Sequence, residues 1–302
     1  MIRRLQYHEI DFEKYSNCLE NSVQRKYSAT KLFLDITSDK HWELLIYNDY
    51  EAVMPVPFVQ KMGKKIVHNP MLCQQLGIFS KQDHIEINEA FLKYLTQNYL
   101  IRIYNFNEFN QFKTSLTTKK NFLITPKDYK TVFSQYSPKR KRKLRLDDEV
   151  VKNSEIRKVN FIEVENFIRE NFLGASKEAD VASFINIFKK MDINGCIELS
   201  AFFLKEKVIN VIITYMDDCT VALLGTFNDK DFVKVSGAST LIDHSIQENI
   251  SQRIFDFEGG EIPNVEEFFR GFRPELRPYT SISYSKKDLI KKMLSLKFIM
   301  KS

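Results

Sequence analysis

Hydrophobic and polar positions alternate with two periods along this chain, and the switches between them mark its elements. Trp42-Glu43-Leu44-Leu45-Ile46-Tyr47 reads as a strand, Asn48-Asp49 as turn chemistry and Ala52–Val59 as the returning strand. Pro55 and Pro57 cannot donate ladder hydrogen bonds, so that strand must lie at an edge, a bulge or a splayed pair. A turn at Met62-Gly63-Lys64 and a strand over Lys65–His68 complete an antiparallel meander. Residues 2–7 read as an earlier strand, and Asp11 as the N-cap of a helix reaching Ser22, with Phe12, Tyr15 and Leu19 on one face. Ile87, Phe91 and Leu95 form the spine of a helix over Glu86–Asn98, followed by strands at Leu100–Phe106 and Asn121–Thr125.

The second half shows the same order without residue-by-residue identity. Helices are expected at Phe161–Phe172 and Glu178–Met191, then strands at Ile197–Leu204, Val208–Tyr215 and Thr220–Phe227. A helix over Thr240–Ser251, strand Arg253–Phe257, helix Asn264–Gly271, strand Tyr279–Tyr284 and helix Lys286–Met300 follow. The halves divide as 1–130 and 131–302, the second entered through a basic helix at 131–152. Within it, Pro138–Arg145 carries six basic residues in eight, and Pro138 suits a first helical turn. Such a run reads either as a solvated face or as a contact for phosphate or nucleic acid.

With 302 residues, 43% hydrophobic and 13% aromatic, the chain has material for about two cores and is not a disordered polymer. Its charge of +6 is compatible with an anionic ligand. Cys18, Cys73, Cys196 and Cys219 lie far apart, in no metal-ligand or disulfide pattern. No apolar run is long enough to span a bilayer and no apolar core follows the first four residues, so a reduced, cytoplasmic protein without a metal is expected.

Three groups of residues could carry chemistry. Arg253–Gly260 reads as a short strand bearing Asp256 and Glu258, which alternation places on one solvent-side face while Phe255 and Phe257 enter the core. The Gly259-Gly260 pair stops that strand. Acids there are candidates for proton acceptors or amine binding, or for a strand-turn-helix joint. Gln74 and Gln75, beside apolar residues, could meet a polar substrate or satisfy buried backbone. Tyr279 could act as an acid or a stacking group, or pack in the core.

The order of helices, meander and strand-helix-strand, twice over, resembles the GNAT fold (the acyl-CoA N-acyltransferase fold) in tandem. The segments Val53–Pro57, Asn69-Pro70 with Gln74–Ser80, Ser137–Arg142 and Asp256-Phe257-Glu258-Gly259 resemble FemAB-like proteins of the FemABX group. That group contains aminoacyltransferases that extend peptidoglycan bridges from aminoacyl-tRNA. The resemblance covers nearly the whole chain, with Gly260 standing where the group's motif has Ser. It implies an α+β chain of two tandem GNAT-like domains, each a mixed, largely antiparallel sheet flanked by helices. It also implies acyl or aminoacyl transfer to an amine, on a small molecule or on a peptide- or nucleotide-linked cell-wall precursor.

The donor would be acyl-CoA or aminoacyl-tRNA, and tRNA a candidate partner. Lys139, Arg140 and Arg142 would meet its phosphates or those of the acceptor. The Arg/Gln-x-x-Gly-x-Gly/Ala loop that holds a CoA pyrophosphate is absent from both halves. Gly237-Ala238-Ser239 occupies its place in the second half, before a helix whose N-terminus favours anions. A non-catalytic or tRNA-binding module that kept the fold and lost the loop is the alternative reading.

Overall fold

A computed structural model describes residues 1–61, 63–175 and 177–299, so Met62 of the expected turn and Met300 of the expected last helix lie outside the described residues. The chain divides into two compact units, Met1–Lys119 with Pro278–Ser302, and Lys120–Arg277. The boundary expected at residue 130 therefore differs at both ends. Phe122–Ile124 enters the sheet of the second unit, and the C-terminal residues belong with the first.

In the first unit the strand Ala52–Lys61 runs beside Trp42–Tyr47, which pairs on its other edge with Ile2–Leu5. The prolines sit where the long strand changes partner. On that side Ala52 and Val53 pair with Ser80 and Phe79, while Phe58–Lys61 pairs with Lys64–Val67. The missing amides fall in the gap, which meets the requirement for a splayed pair. Asp11 caps Phe12–Glu20 as expected, its Oδ1 accepting from Glu13 N and Lys14 N, each at 3.1 Å. A further helix, Lys31–Ser38, was not expected; Thr30 caps it and it buries Phe33, Leu34 and Ile36. The strand expected over Leu100–Phe106 breaks in two, Leu100–Ile101 pairing with Lys64–Val67 and Ile103–Asn105 with Tyr279–Ser283. Tyr279–Ser283 also pairs with Thr117–Lys119, which makes it the middle strand of a small sheet.

The second unit is built on one sheet in the order Ser154–Val159, Ile197–Leu204, Lys207–Met216, Thr220–Asn228, Ile254–Asp256, Phe122–Ile124, Glu275–Leu276. Ser154–Val159 was not expected as a strand. All neighbours are antiparallel except Thr220–Asn228 and Ile254–Asp256, which run parallel. Helices Phe161–Glu170, Glu178–Ile193 and Gly237–Asn249 pack on it. The last buries Leu241, Ile242 and Ile246 against Phe202, Ile212 and Phe255. In place of a single basic helix at 131–152 there are three short ones, Tyr129–Gln135, Pro138–Leu144 and Asp148–Asn153. Pro138 does occupy the first turn, and Ser137 Oγ caps the helix by accepting from Arg140 N. No helix among the described residues is long and apolar enough to cross a membrane.

Candidate active site

The sheet of the second unit forks. Thr220, Val221 and Ala222 pair with Ile254, Phe255 and Asp256, and the pairing stops there. Leu223–Asn228 continues beside Lys207–Met216, while Phe257 turns away and donates its amide to Phe122 O at 2.9 Å. The opening faces the carboxyl ends of the two parallel strands, the usual mouth of a ligand crevice in a sheet with a parallel pair. One arm of the fork also bulges. Ile213 lies opposite Gly225 and Thr214 opposite Leu223, so Leu224 is the extra residue. A bulge releases backbone groups from the ladder and re-aims them.

A cavity of about 200 Å³ lies at this end of the unit, lined by Lys143, Asn210, Asn228, Phe232, Phe268 and the segment Ser236–Ser239. Ser236 takes a left-handed conformation (φ 64°, ψ 20°), and Gly237 begins a helix that runs to Asn249. That helix starts earlier than the sequence suggested, so Gly237, Ala238 and Ser239 supply its first turn. The amides of a first turn have no intrahelical acceptor and carry the positive end of the helix dipole. Gly237 has no space for a side chain: a Cβ there would lie 2.0 Å from Asn210 Oδ1 and 3.3 Å from Phe202 Cδ1. Asn210 is 3% exposed; its Nδ2 donates to Asn228 Oδ1 at 2.7 Å, and its own Oδ1 has no hydrogen-bond partner.

The basic helix meets this cavity through Lys143, a residue the sequence reading did not single out. Arg140 was expected on phosphate but points the other way. It is 4% exposed, stacked between Phe268 and Phe272 with its guanidinium carbon 4.2 Å from each ring centroid. Nη1 donates to Ser239 Oγ and Nη2 to Phe268 O, which ties the basic helix to the first turn of Gly237–Asn249. Burial lowers its pKa to about 10, which leaves it charged at neutral pH. Lys139 is exposed and pairs with Glu267 at 3.0 Å. Arg142 is exposed and lines a neighbouring hollow with Arg145 and Lys234.

Asp256 and Glu258 do not share a solvent-side face. The strand ends at Asp256, and Glu258 adopts φ 51°, which breaks the alternation. Asp256 is 1% exposed, and its Oδ1 accepts from Asn121 Nδ2 and from Glu258 N, both at 2.9 Å. It is a hub that fastens the strand end. Glu258 is half-buried at the turn. Gly259 and Gly260 follow at φ 143° and 152°, values that only glycine adopts without strain. Phe255 and Phe257 are buried as expected, with ring centroids 5.0 Å apart.

The remaining candidates belong to the first unit. Gln75 is fully buried; Glu108 N donates to its Oε1 at 3.1 Å, and Nε2 has no partner. Gln74 accepts from Asn105 Nδ2 at its carbonyl, and its Oε1 is buried without a partner. Tyr279 is 3% exposed in the small sheet, opposite Lys119. These environments match the structural alternatives read for Gln75 and Tyr279. Among the described residues no group of three or more His, Cys, Asp or Glu is placed to hold a metal ion.

No family model and no curated protein matches the sequence. Solved structures do match along almost the whole chain. FemX aligns at a TM-score of 0.62 and 10% identity, over 92% of this chain and 96% of that one. L-PGS from Bacillus licheniformis aligns at 0.54 and 10% identity, over 96% and 97%. A tandem GNAT protein from the clavulanic acid biosynthesis pathway aligns at 0.52 and 6% identity, over 93% and 97%. At such identities the likeness speaks for the fold. The chain has a FemABX-like, GNAT fold: a mixed α+β architecture of mostly antiparallel sheets flanked by helices.

Proposed function

We propose that the second unit transfers an acyl or aminoacyl group to an amine. The observation that carries this reading is the coincidence, in one unit, of a forked parallel strand pair, a bulge at Leu224 on its free arm and a helix N-terminus at Gly237. Acyl transfer to an amine needs a polarised carbonyl, an oriented amine and an exit for a proton. A backbone amide released at the bulge can polarise the carbonyl, so no side-chain nucleophile is required. The donor's phosphates fit the first-turn amides of Gly237 and Ala238, with Lys143 as counter-charge. Both acyl-CoA and aminoacyl-tRNA carry such phosphates.

Of the two acids, Glu258 is the candidate proton acceptor, because Asp256 is buried and engaged. The acceptor is an amine of a small molecule or of a peptide- or nucleotide-linked cell-wall precursor. Titration of the full chain with acetyl-CoA and, separately, with aminoacyl-tRNA tests the reading. Saturable binding of one donor is expected, weakened about tenfold in Lys143→Gln by loss of one charged contact. Saturable binding of neither would overturn it.

A further inference from the structure

We propose that the helix Lys286–Ile299 docks the first unit on an anionic membrane surface. Ser285 starts this helix: its hydroxyl accepts from Asp288 N at 3.2 Å, and Asp288 Oδ2 accepts from Ser285 N at 3.1 Å. One side then seats on the unit. Leu289 is buried, and the Lys292 ammonium donates to Tyr99 O at 2.8 Å and to Thr96 O. Positions 289 and 292 are neighbours on a helix surface, so the cap and the seat together fix which way the helix is turned.

The side turned away from the seat carries the inference. Ile290 is 58% exposed, among the exposed lysines Lys286, Lys287 and Lys291. A single exposed isoleucine is ordinary. Here the sequence repeats the choice: Leu294 and Phe298 follow Ile290 at four-residue intervals, a spacing that keeps residues on one stripe of a helix. Lysines accompany that stripe along its length, at 286, 287, 291 and 297. A helix with one apolar side seated on its own unit and a second apolar stripe edged by lysines calls for a second surface.

Charge selects the occupant. Lys286–Ile299 holds five lysines against one acid, Asp288, which is engaged at the cap by the Ser285 hydroxyl at 2.6 Å. A second copy of the chain would set two such lysine-edged stripes against each other. An anionic lipid surface takes both parts of the pattern. The apolar stripe enters the boundary between headgroups and acyl chains, while the lysine stems reach back so that their ammonium groups meet the headgroup charges. At about 1.5 Å per residue the helix is about 21 Å long, short of a hydrocarbon core of about 30 Å, so it lies along the surface.

The test sediments the full chain with vesicles of phosphatidylcholine alone and with vesicles of equal parts phosphatidylcholine and phosphatidylserine. Pelleting is expected with the anionic vesicles only, and it should fall steeply as salt is added. Lys287→Gln combined with Lys291→Gln should weaken it about 25-fold, about fivefold for each lysine removed from the surface. Ile290→Asp should weaken it by about tenfold or more. All three positions are exposed, so the melting temperature should not change. Lys64→Gln, at an exposed position on a different element of the unit, should leave pelleting as it was. Equal pelleting with both kinds of vesicle, none with either, or an unchanged affinity in Ile290→Asp would overturn the proposal. A dimer in light scattering that dissociates in Ile290→Asp, with no vesicle binding, would also overturn it and give the face to a second copy. No acyl donor enters the assay, so its outcome stands apart from the function proposed above.

Discussion

Replacing Gly237 by alanine adds one methyl group at the most crowded point of the candidate site. The new Cβ would fall 2.0 Å from Asn210 Oδ1 and 2.9 Å from its Cγ, so one of the two residues must move. Asn210 is buried and bonded to Asn228 at 2.7 Å, and turning it away breaks that bond. Overpacking of this kind costs about 1–3 kcal/mol, and the lost hydrogen bond about 1 kcal/mol. Alanine's better helix propensity returns less than about 1 kcal/mol, and less still in a first turn. A net loss of about 2–3 kcal/mol is expected. Urea unfolding followed by far-ultraviolet circular dichroism measures it, and amide exchange should place the loss within residues 197–249. The decisive arm is a double-mutant cycle. In an Asn210→Ala background the obstacle is gone, and Gly237→Ala should then cost under about 0.5 kcal/mol, a coupling of about 2 kcal/mol. Equal costs in the two backgrounds would show that the close approach does not dictate glycine here.

Other consequences are equally open to measurement. Asp256→Ala strands the donors of Asn121 Nδ2 and Glu258 N and should destabilise the second unit by about 2–3 kcal/mol, whereas Asp256→Asn retains an acceptor and should cost about 1 kcal/mol; equal losses on denaturant unfolding would refute the hub. A fragment of residues 120–277 should fold on its own, while one of 131–302 should not, because it lacks Phe122–Ile124 between its two sheet partners; heteronuclear spectra of the two fragments decide. Truncation after Arg277 should loosen the first unit, seen as a red shift of the fluorescence of buried Trp42. Burial pushes the Cys18 and Cys196 thiols up to about 11, so their thiolates are scarce at pH 8 and their alkylation should accelerate only as pH climbs toward that value. Mass-spectrometric mapping should find exposed Cys219 modified first.

Much of the fold was legible because its signals are local. The Asp11 cap, the Asn48-Asp49 turn and the aromatic side of Phe255 and Phe257 each depend on a few neighbouring residues. The domain boundary was not, because it depends on pairings such as Phe255 with Ile124 and Glu275 with Leu123, between residues more than a hundred positions apart. The shared face of Asp256 and Glu258 failed for a local reason: alternation holds only while the backbone stays extended, and Glu258 leaves that region. Arg140 looked like one cation in a run. Its spacing carried a signal all the same, since Tyr136, Arg140 and Leu144 recur at four-residue intervals and Tyr136 is buried and Leu144 partly so. Lys143 lies off that stripe, and on the sequence nothing separated it from its neighbours.

The small sheet formed by Ile103–Asn105, Tyr279–Ser283 and Thr117–Lys119 also sets an order of events. Its middle strand leaves the ribosome only after the whole of residues 120–277, so the first unit stays unfinished until that stretch has been made. Residues 120–277 are complete only just before that strand begins. Domains that emerge first normally fold first. Here the N-terminal strands wait for their partner while the whole second unit is made, and for that interval the first unit would have to be kept from aggregating.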